Sequence, residues 1–492
     1  MIAALIFVPL LAGLLSLAVR PAWMRRTVLV LVALAHLAMT AAALVRHPEA
    51  ELGGWLVLDD LGAVFLGILS LLFVAAAFYG VGYLAREARH PSGDVERRGP
   101  VDNQPEAIFT CCLMIFLATM TLVTVSHNFG LLWVAVEATT LASSPLIYFH
   151  RHRRSLEATW KYLLVCSVGI ALALLGNFFL AIAATQSDGQ TVPLVLGDLL
   201  ASARGLNLDW LKAAFLLLLV GYGTKMGLAP LHTWLPDAHS EAPSVVSALL
   251  SGALLNCALL GILRILQVCL GAGLADFVHP LMVLFGLASL TVAAVFIIRQ
   301  GDFKRMLAYS SVEHMGLVAL AIGLGGAASF GALLHAVNHS LTKGMLFLVA
   351  GNILAAYRTK SVHDATGVIH VLPISGVLWL AGFLAISGSP PFGPFVSELV
   401  ILKAAFDQGA AWAAIVALAL LVVIFVGMAS AVLRMAYGTP PAGIMAERPR
   451  ESWLTVVPPM ALGLGVLILG VHLPPELEDL LRRAAQAVGG AA

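Results

Sequence analysis

Residues 210–231 read WLKAAFLLLLVGYGTKMGLAPL. The run is long enough to cross a bilayer, for which a helix needs about 20 apolar residues. Yet it holds Lys225, with a helix-breaking Pro230 shortly after it. A lysine near the membrane centre costs about 2.5–3.5 kcal/mol on insertion scales, so it stands there only with a partner or a purpose. A second expensive residue, Glu137, lies in another apolar run, FGLLWVAVEATTLASSPLIYF at 129–149. An acid and a base in an apolar medium favour each other's charged form. On separate membrane helices they are the parts of a titratable switch in a proton or ion path. The plainer alternative is a static ion pair joining two helices, and a buried pair is weak support for stability.

Composition sets the class. The chain has 492 residues, 60% hydrophobic and 11% charged, against about 25% charged in soluble domains. It reads as an integral membrane protein whose surroundings are lipid. Net charge is +1 and no long basic block occurs, so no nucleic-acid partner is expected. Cys111, Cys112, Cys166, Cys257 and Cys269 lie in or beside apolar runs. They form no CxxC and no Cys/His cluster, so neither an iron–sulfur nor a zinc site is expected in this chain. The first residues, MIAALIFVPLLAGLLSLAV, lack a basic leader and read as a first span.

Apolar runs of membrane-spanning length fall near 2–19, 27–45, 60–84, 107–125, 128–148, 159–184, 208–231, 243–266, 278–298, 306–325, 328–356, 370–406, 411–433 and 454–472. An all-α polytopic protein with about fourteen transmembrane helices is therefore expected. Loops after odd spans carry eighteen basic residues, among them Arg89, Arg97, Arg98 and Arg448; loops after even spans, with both termini, carry five. The positive-inside rule makes the odd loops cytoplasmic and puts both termini outside. Lys161 and Lys212 are near enough to span ends to snorkel. Lys225 and Lys343 are not: each lies about 22 Å deep from the outer side, in a core about 30 Å thick.

Spans 4–8 and 9–13 read as two copies of one five-helix unit, the second inverted because five is odd. Each copy has a proline-interrupted helix in fourth place, GTKMGLAPLHTWLP in span 7 and SGSPPFGPFVSEL in span 12. Inverted repeats with broken helices are a recurrent transporter plan, with the working site at the breaks. The domain division expected is a three-helix segment 1–106, repeats at 107–266 and 267–435, and a C-terminal helix and tail at 436–492.

Around the breaks lies a polar constellation. Span 11 reads HAVNHSLTKGMLFLVAG, so His335, His339 and Lys343 form one stripe at i, i+4 and i+8. Histidines take and give protons near neutral pH, which suits a relay; a metal or haem held by His335 and His339 lacks a third ligand in the sequence. Glu313 and His314 of span 10 either extend the stripe or mark the cytoplasmic boundary. Glu398, after the second break, falls in the outer half and is the candidate terminal site, while Lys403 is either accessory or a snorkelling end residue. The turn HTWLPDAHSEAPS at 232–244 keeps His232, Asp237, His239 and Glu241 on the cytoplasmic side, as proton feeders or as caps.

These segments resemble the antiporter-like proton-translocating membrane subunits shared by respiratory complex I, Mrp-type cation/proton antiporters and group 4 hydrogenases. The resemblance rests on WVAVEATTL, TKMGLAPLHTWLPDAHSEAPSVVSALLSG, DFKRMLAYSSVEHMG, HAVNHSLTKGMLFLVAG and SGSPPFGPFVSEL, and covers spans 4–13 closely. Residues 136–176 look most like the F-type subunits of hydrogenase-4. The resemblance implies fourteen helices with two inverted repeats, and proton-translocating roles for Glu137, Lys225, Lys343 and Glu398. It also implies a redox-driven complex in the bacterial or archaeal cell membrane, with other membrane subunits and a peripheral redox arm. No cofactor is then expected in this chain, and iron–sulfur and metal centres lie in partners. One departure is Asn256 in span 8, where several relatives carry a lysine or histidine. The alternatives are an Mrp-type Na⁺/H⁺ antiporter subunit and an energy-coupling membrane subunit for inorganic carbon uptake.

Overall fold

The computed structural model describes residues 1–88, 103–185, 191–447 and 449–490; Arg89, Arg97, Arg98 and Arg448 of the charge count lie outside the described residues. Each of the fourteen apolar runs contains helix. In order these are α1 (Ile2–Ser16), α2 (Ala22–Arg46), α3 (Asp60–Glu87), α4 (Glu106–Val125), α5 (Phe129–Ile147) and α6 (Arg153–Ala183). Next come α7a (Leu208–Met226), α7b (Trp234–Glu241) and α8 (Ser244–Gly271), then α9 (Ala275–Ile297), α10 (Phe303–Leu324) and α11 (Ala327–Tyr357). The series closes with α12a (Pro373–Ile386), α12b (Gly393–Asp407), α13 (Ala411–Tyr437), α14 (Trp453–Val471) and an amphipathic tail helix α15 (Pro475–Gln486). Among the described residues eleven helices are long and apolar enough to cross a membrane, and α1 and α12a are shorter apolar helices.

The two breaks are built alike. α7a ends with Gly227 at φ 81° and α12a is followed by Gly388 at φ 64°, a left-handed conformation that glycine adopts without a Cβ clash. Leu228 N–H donates back to Gly223 O and Gly227 N–H to Thr224 O; Ser389 N–H donates to Leu384 O and Gly388 N–H to Ala385 O. Each break is thus a Schellman stop, followed by the prolines that cannot continue a helix. In a membrane interior every exposed backbone group needs a partner. The first break finds them across the fold: Trp234 Nε1 donates to Thr224 O at 2.8 Å and Ala229 N–H donates to Ser289 Oγ of α9 at 2.9 Å.

The stretch 232–244, expected as a turn, is largely helical. Pro236 falls in the first turn of α7b, where a missing N–H costs nothing because that amide has no intrahelical partner. Buried Lys304 donates to the Ser240 and Ala242 carbonyls, which satisfies the far end of the same helix. α8 also runs on to Gly271, five residues past the expected end of its span.

α8 and α10 are enclosed almost completely and α3, α4 and α11 for most of their length, whereas α2, α6, α9, α13 and α14 have only a minority of their residues buried. The polar residues of α8, α10 and α11 therefore sit on enclosed helices. α6 packs along α7a through Gly169, where an added Cβ would meet the Thr224 side chain at 2.7 Å. Small residues bring membrane helices close in this way, and the contact sits one residue from Lys225.

Candidate functional site

Lys225 occupies the last turn of α7a and is fully buried. The carbonyl end of a half-helix carries partial negative charge that favours a cation there. Lys225 Nζ donates to Thr140 Oγ1 at 2.6 Å and Tyr162 Oη at 2.7 Å, and lies 4.6 Å from the centre of the Tyr162 ring. Tyr162 in turn shares a 2.6 Å bond with Ser143 Oγ. Glu137 is half-buried, accepting from Ser167 Oγ at 3.1 Å and from Thr140 Oγ1 at 3.3 Å. The acid and the lysine belong to one network, but Thr140 stands between them. Thr140 sits at i+3 from Glu137 on α5, the spacing that puts two side chains on one helix face.

Between the breaks, α8 contains a π-helical segment at Leu250–Leu254, a form that often marks functional sites. Ser251 Oγ and Ser311 Oγ lie 2.8 Å apart there, and Asn256 Nδ2 donates to Ser340 Oγ of α11 at 2.7 Å. Asn256 therefore reaches the histidine-bearing helix through Ser340. Lys343 is fully buried and donates to Leu307 O at 2.8 Å.

The second cluster is histidine-rich. His314 Nδ1 and His335 Nε2 lie 2.9 Å apart, and His335 Nδ1 is 2.9 Å from Ser397 Oγ of α12b. The His339 and His314 ring centres are 5.4 Å apart. Glu313 is buried at 3% exposure, not at a boundary, and Glu313 and Glu398 line one small cavity of about 20 Å³. His239, whose sequence position allowed a capping role, is fully buried and stacks on Phe347 at 4.8 Å. Glu398, His314 and His335 converge to within 4.8 Å, so α10 contributes to the second cluster.

Other expected residues fall outside this line. Lys403 is 72% exposed and pairs with Asp407 on its own helix at 2.5 Å; it is a surface residue. Asp237 pairs with Lys161 at 3.0 Å and Arg305 at 3.1 Å, and Glu241 pairs with Lys360 at 2.9 Å. His232 is buried beside Tyr309, ring centres 6.2 Å apart. Sequence reasoning missed Thr140, Ser143, Tyr162 and Ser397. Thr140 at i+3 from Glu137, and Ser143 at i+3 from Thr140, were the available signal for the first two.

A polytopic helical protein with two broken helices and buried lysines, histidines and carboxylates is the build of an ion-conducting membrane subunit. The chain belongs to the family described as NADH:quinone oxidoreductase/Mrp antiporter, transmembrane, whose model matches residues 126–424. It is 35% identical over 429 residues to the hydrogenase-4 component F homolog of Methylacidiphilum infernorum (isolate V4), covering 87% of each chain. In fold it is similar to a chain of the membrane-bound sulfane sulfur reductase, an archaeal respiratory membrane complex, with TM-score 0.86, 22% identity and 99% and 98% coverage. It is also similar to a chain of the Mrp complex from Dietzia sp. DQ12-45-1b, with TM-score 0.82, 21% identity and 99% and 97% coverage.

Proposed function

We propose that this chain is the proton-translocating membrane subunit of a redox-driven complex of the hydrogenase-4 or NADH dehydrogenase kind. The observation that carries the reading is the pair of buried polar clusters, one at each helix break, with Asn256, Ser340, Ser251 and Ser311 between them. Protons enter from the cytoplasm and load Lys225. They pass through the serine and asparagine region, where water completes the hydrogen-bond line, to Lys343, His339, His314 and His335. Glu398 releases them outward. Charge movement in a neighbouring subunit acts on half-buried Glu137, and Thr140 transmits the change to Lys225.

Iron–sulfur and metal centres of the electron-transfer chain belong to partner subunits and a peripheral arm. The chain sits in the bacterial or archaeal inner membrane with both termini outside, divided into segments 1–106, 107–266, 267–435 and 436–492. Family membership keeps Na⁺/H⁺ antiport as a second reading. Hard monovalent and divalent ions of that kind take oxygen ligands, whereas the second cluster is dominated by imidazole nitrogen, which favours protons as cargo. The test is coupled pumping by the intact complex in vesicles. Glu137→Gln and Lys225→Ala abolish pumping while partner redox turnover stays measurable; undiminished pumping by both variants sinks the proposal. Flux that requires Na⁺ in the medium would favour the antiporter reading.

A further inference from the structure

His314 and His335 each offer a ring nitrogen, and Glu398 a carboxylate oxygen, that all lie within 4.8 Å of one another. The three come from α10, α11 and α12b, so only the fold assembles them. Three ligands about 2.1 Å from one ion stand about 3.4–3.6 Å apart, so side-chain shifts of about 1 Å close the triangle, and His335 exchanges its bond to His314 or Ser397 for the ion. His314 Nε2 and Glu313 Oε2 are buried with no hydrogen bond of good geometry, the Ile386 backbone lying near His314 and Ser310 near Glu313, and the two atoms stand 3.9 Å apart. A buried polar atom without a partner points to a water or an ion at that place.

Charge narrows the occupant. An unbalanced charge inside a membrane is costly, and the carboxylates of Glu313 and Glu398 together neutralise one divalent cation when Lys343, the buried amine that interacts with Glu313, is neutral. Mg²⁺ and Ca²⁺ take oxygen ligands, while imidazole with carboxylate suits Zn²⁺ and its first-row neighbours. We infer that His314, His335 and Glu398, with Glu313 as the second carboxylate, form a binding site for a divalent transition metal of the zinc type. The ion takes a lone pair from each imidazole and ionised carboxylate oxygen, displacing whatever protons those groups carry. An occupied site cannot pass protons, so the metal plugs the outward half of the path. Binding stands without the proposed proton route; the plugging rests on it.

The test uses the purified full chain, stripped with chelator and equilibrated with Zn²⁺ alone. The expected result is one bound equivalent, with an X-ray absorption shell of nitrogen and oxygen at about 2.0–2.1 Å and no sulfur. Loss of one ligand in His314→Gln, or separately in Glu398→Gln, weakens binding by about 10–100-fold, as does loss of a supporting group in other metal sites. Glu313→Gln supplies a third, milder variant, and Lys403→Ala is the control that keeps full binding. Equal zinc in the wild type and a His314→Gln/Glu398→Gln double variant overturns the site, as does a sulfur shell from the cysteines or no zinc above the buffer level. Zinc bound as described, with proton flux in the intact complex undisturbed, leaves the site standing and counts against the proton route.

Discussion

Thr140 stands between the acid and the base of the first break: its hydroxyl donates to Glu137 Oε2 at 3.3 Å and accepts from Lys225 Nζ at 2.6 Å. A bond to a charged group is worth about 1.5–3 kcal/mol, which corresponds to ~10–100-fold in an equilibrium. Thr140→Val keeps the shape and removes the hydroxyl. It lowers coupled proton flux by about 10-fold or more in the proposed scheme, whereas Thr140→Ser retains most of it. Equal flux in wild type and Thr140→Val would show that the acid acts on the lysine without this bridge.

Tyr162 gives Lys225 a second acceptor and a ring face. Tyr162→Phe keeps the ring and loses only the oxygen, so its flux falls less than that of Thr140→Val. The comparison is made in the same vesicles, and a larger loss for Tyr162→Phe reverses the ranking of the two contacts.

Lys403 faces outward in an exposed pair with Asp407. Exposed pairs of this kind contribute about 0–1 kcal/mol. Lys403→Ala leaves flux and thermal stability near wild type. A loss of pumping as deep as that of Lys225→Ala would return Lys403 to the path.

Asp59 caps α3 and holds fully buried Arg264 through two oxygens at 2.5 and 2.6 Å, with His127 at 3.5 Å. Burial by itself works to raise the Asp59 carboxyl, but the Arg264 guanidinium and His127 outweigh it and hold the carboxyl well below the usual range. A folded-state value below the unfolded one stabilises the fold at every pH above the ordinary carboxylate value, and that contribution fades as pH falls towards the folded value. Asp59→Asn therefore costs about 2–3 kcal/mol near pH 7. The gap in melting temperature between wild type and variant, measured in detergent, narrows progressively below about pH 5. A gap that widens with acid contradicts the sign.

Ser289→Ala leaves the Ala229 amide of the first break without its acceptor. An unmet buried donor costs about 1–3 kcal/mol, read as a lower melting temperature. Unchanged melting would mean that water replaces the hydroxyl at the break.

Hydropathy, proline placement and the surplus of arginine in alternate loops are local or bilayer-imposed properties. They made the helical runs, the two broken helices and the expensive residues Glu137, Lys225, Lys343 and Glu398 readable from the chain alone. Gly227 and Gly388 could be suspected as stops, since glycine with proline close behind ends a helix. Partnership was not readable. A helix that is apolar all round has no amphipathic stripe to fix its rotation, so sequence could not say which face of α5 met α7a or which face of α10 met α12b. Packing decided that Thr140 separates Glu137 from Lys225, that Glu313 and His314 join the second cluster and that Lys403 lies outside. The cost of a buried charge belongs to each residue; the identity of the atoms that satisfy it belongs to the neighbouring helices.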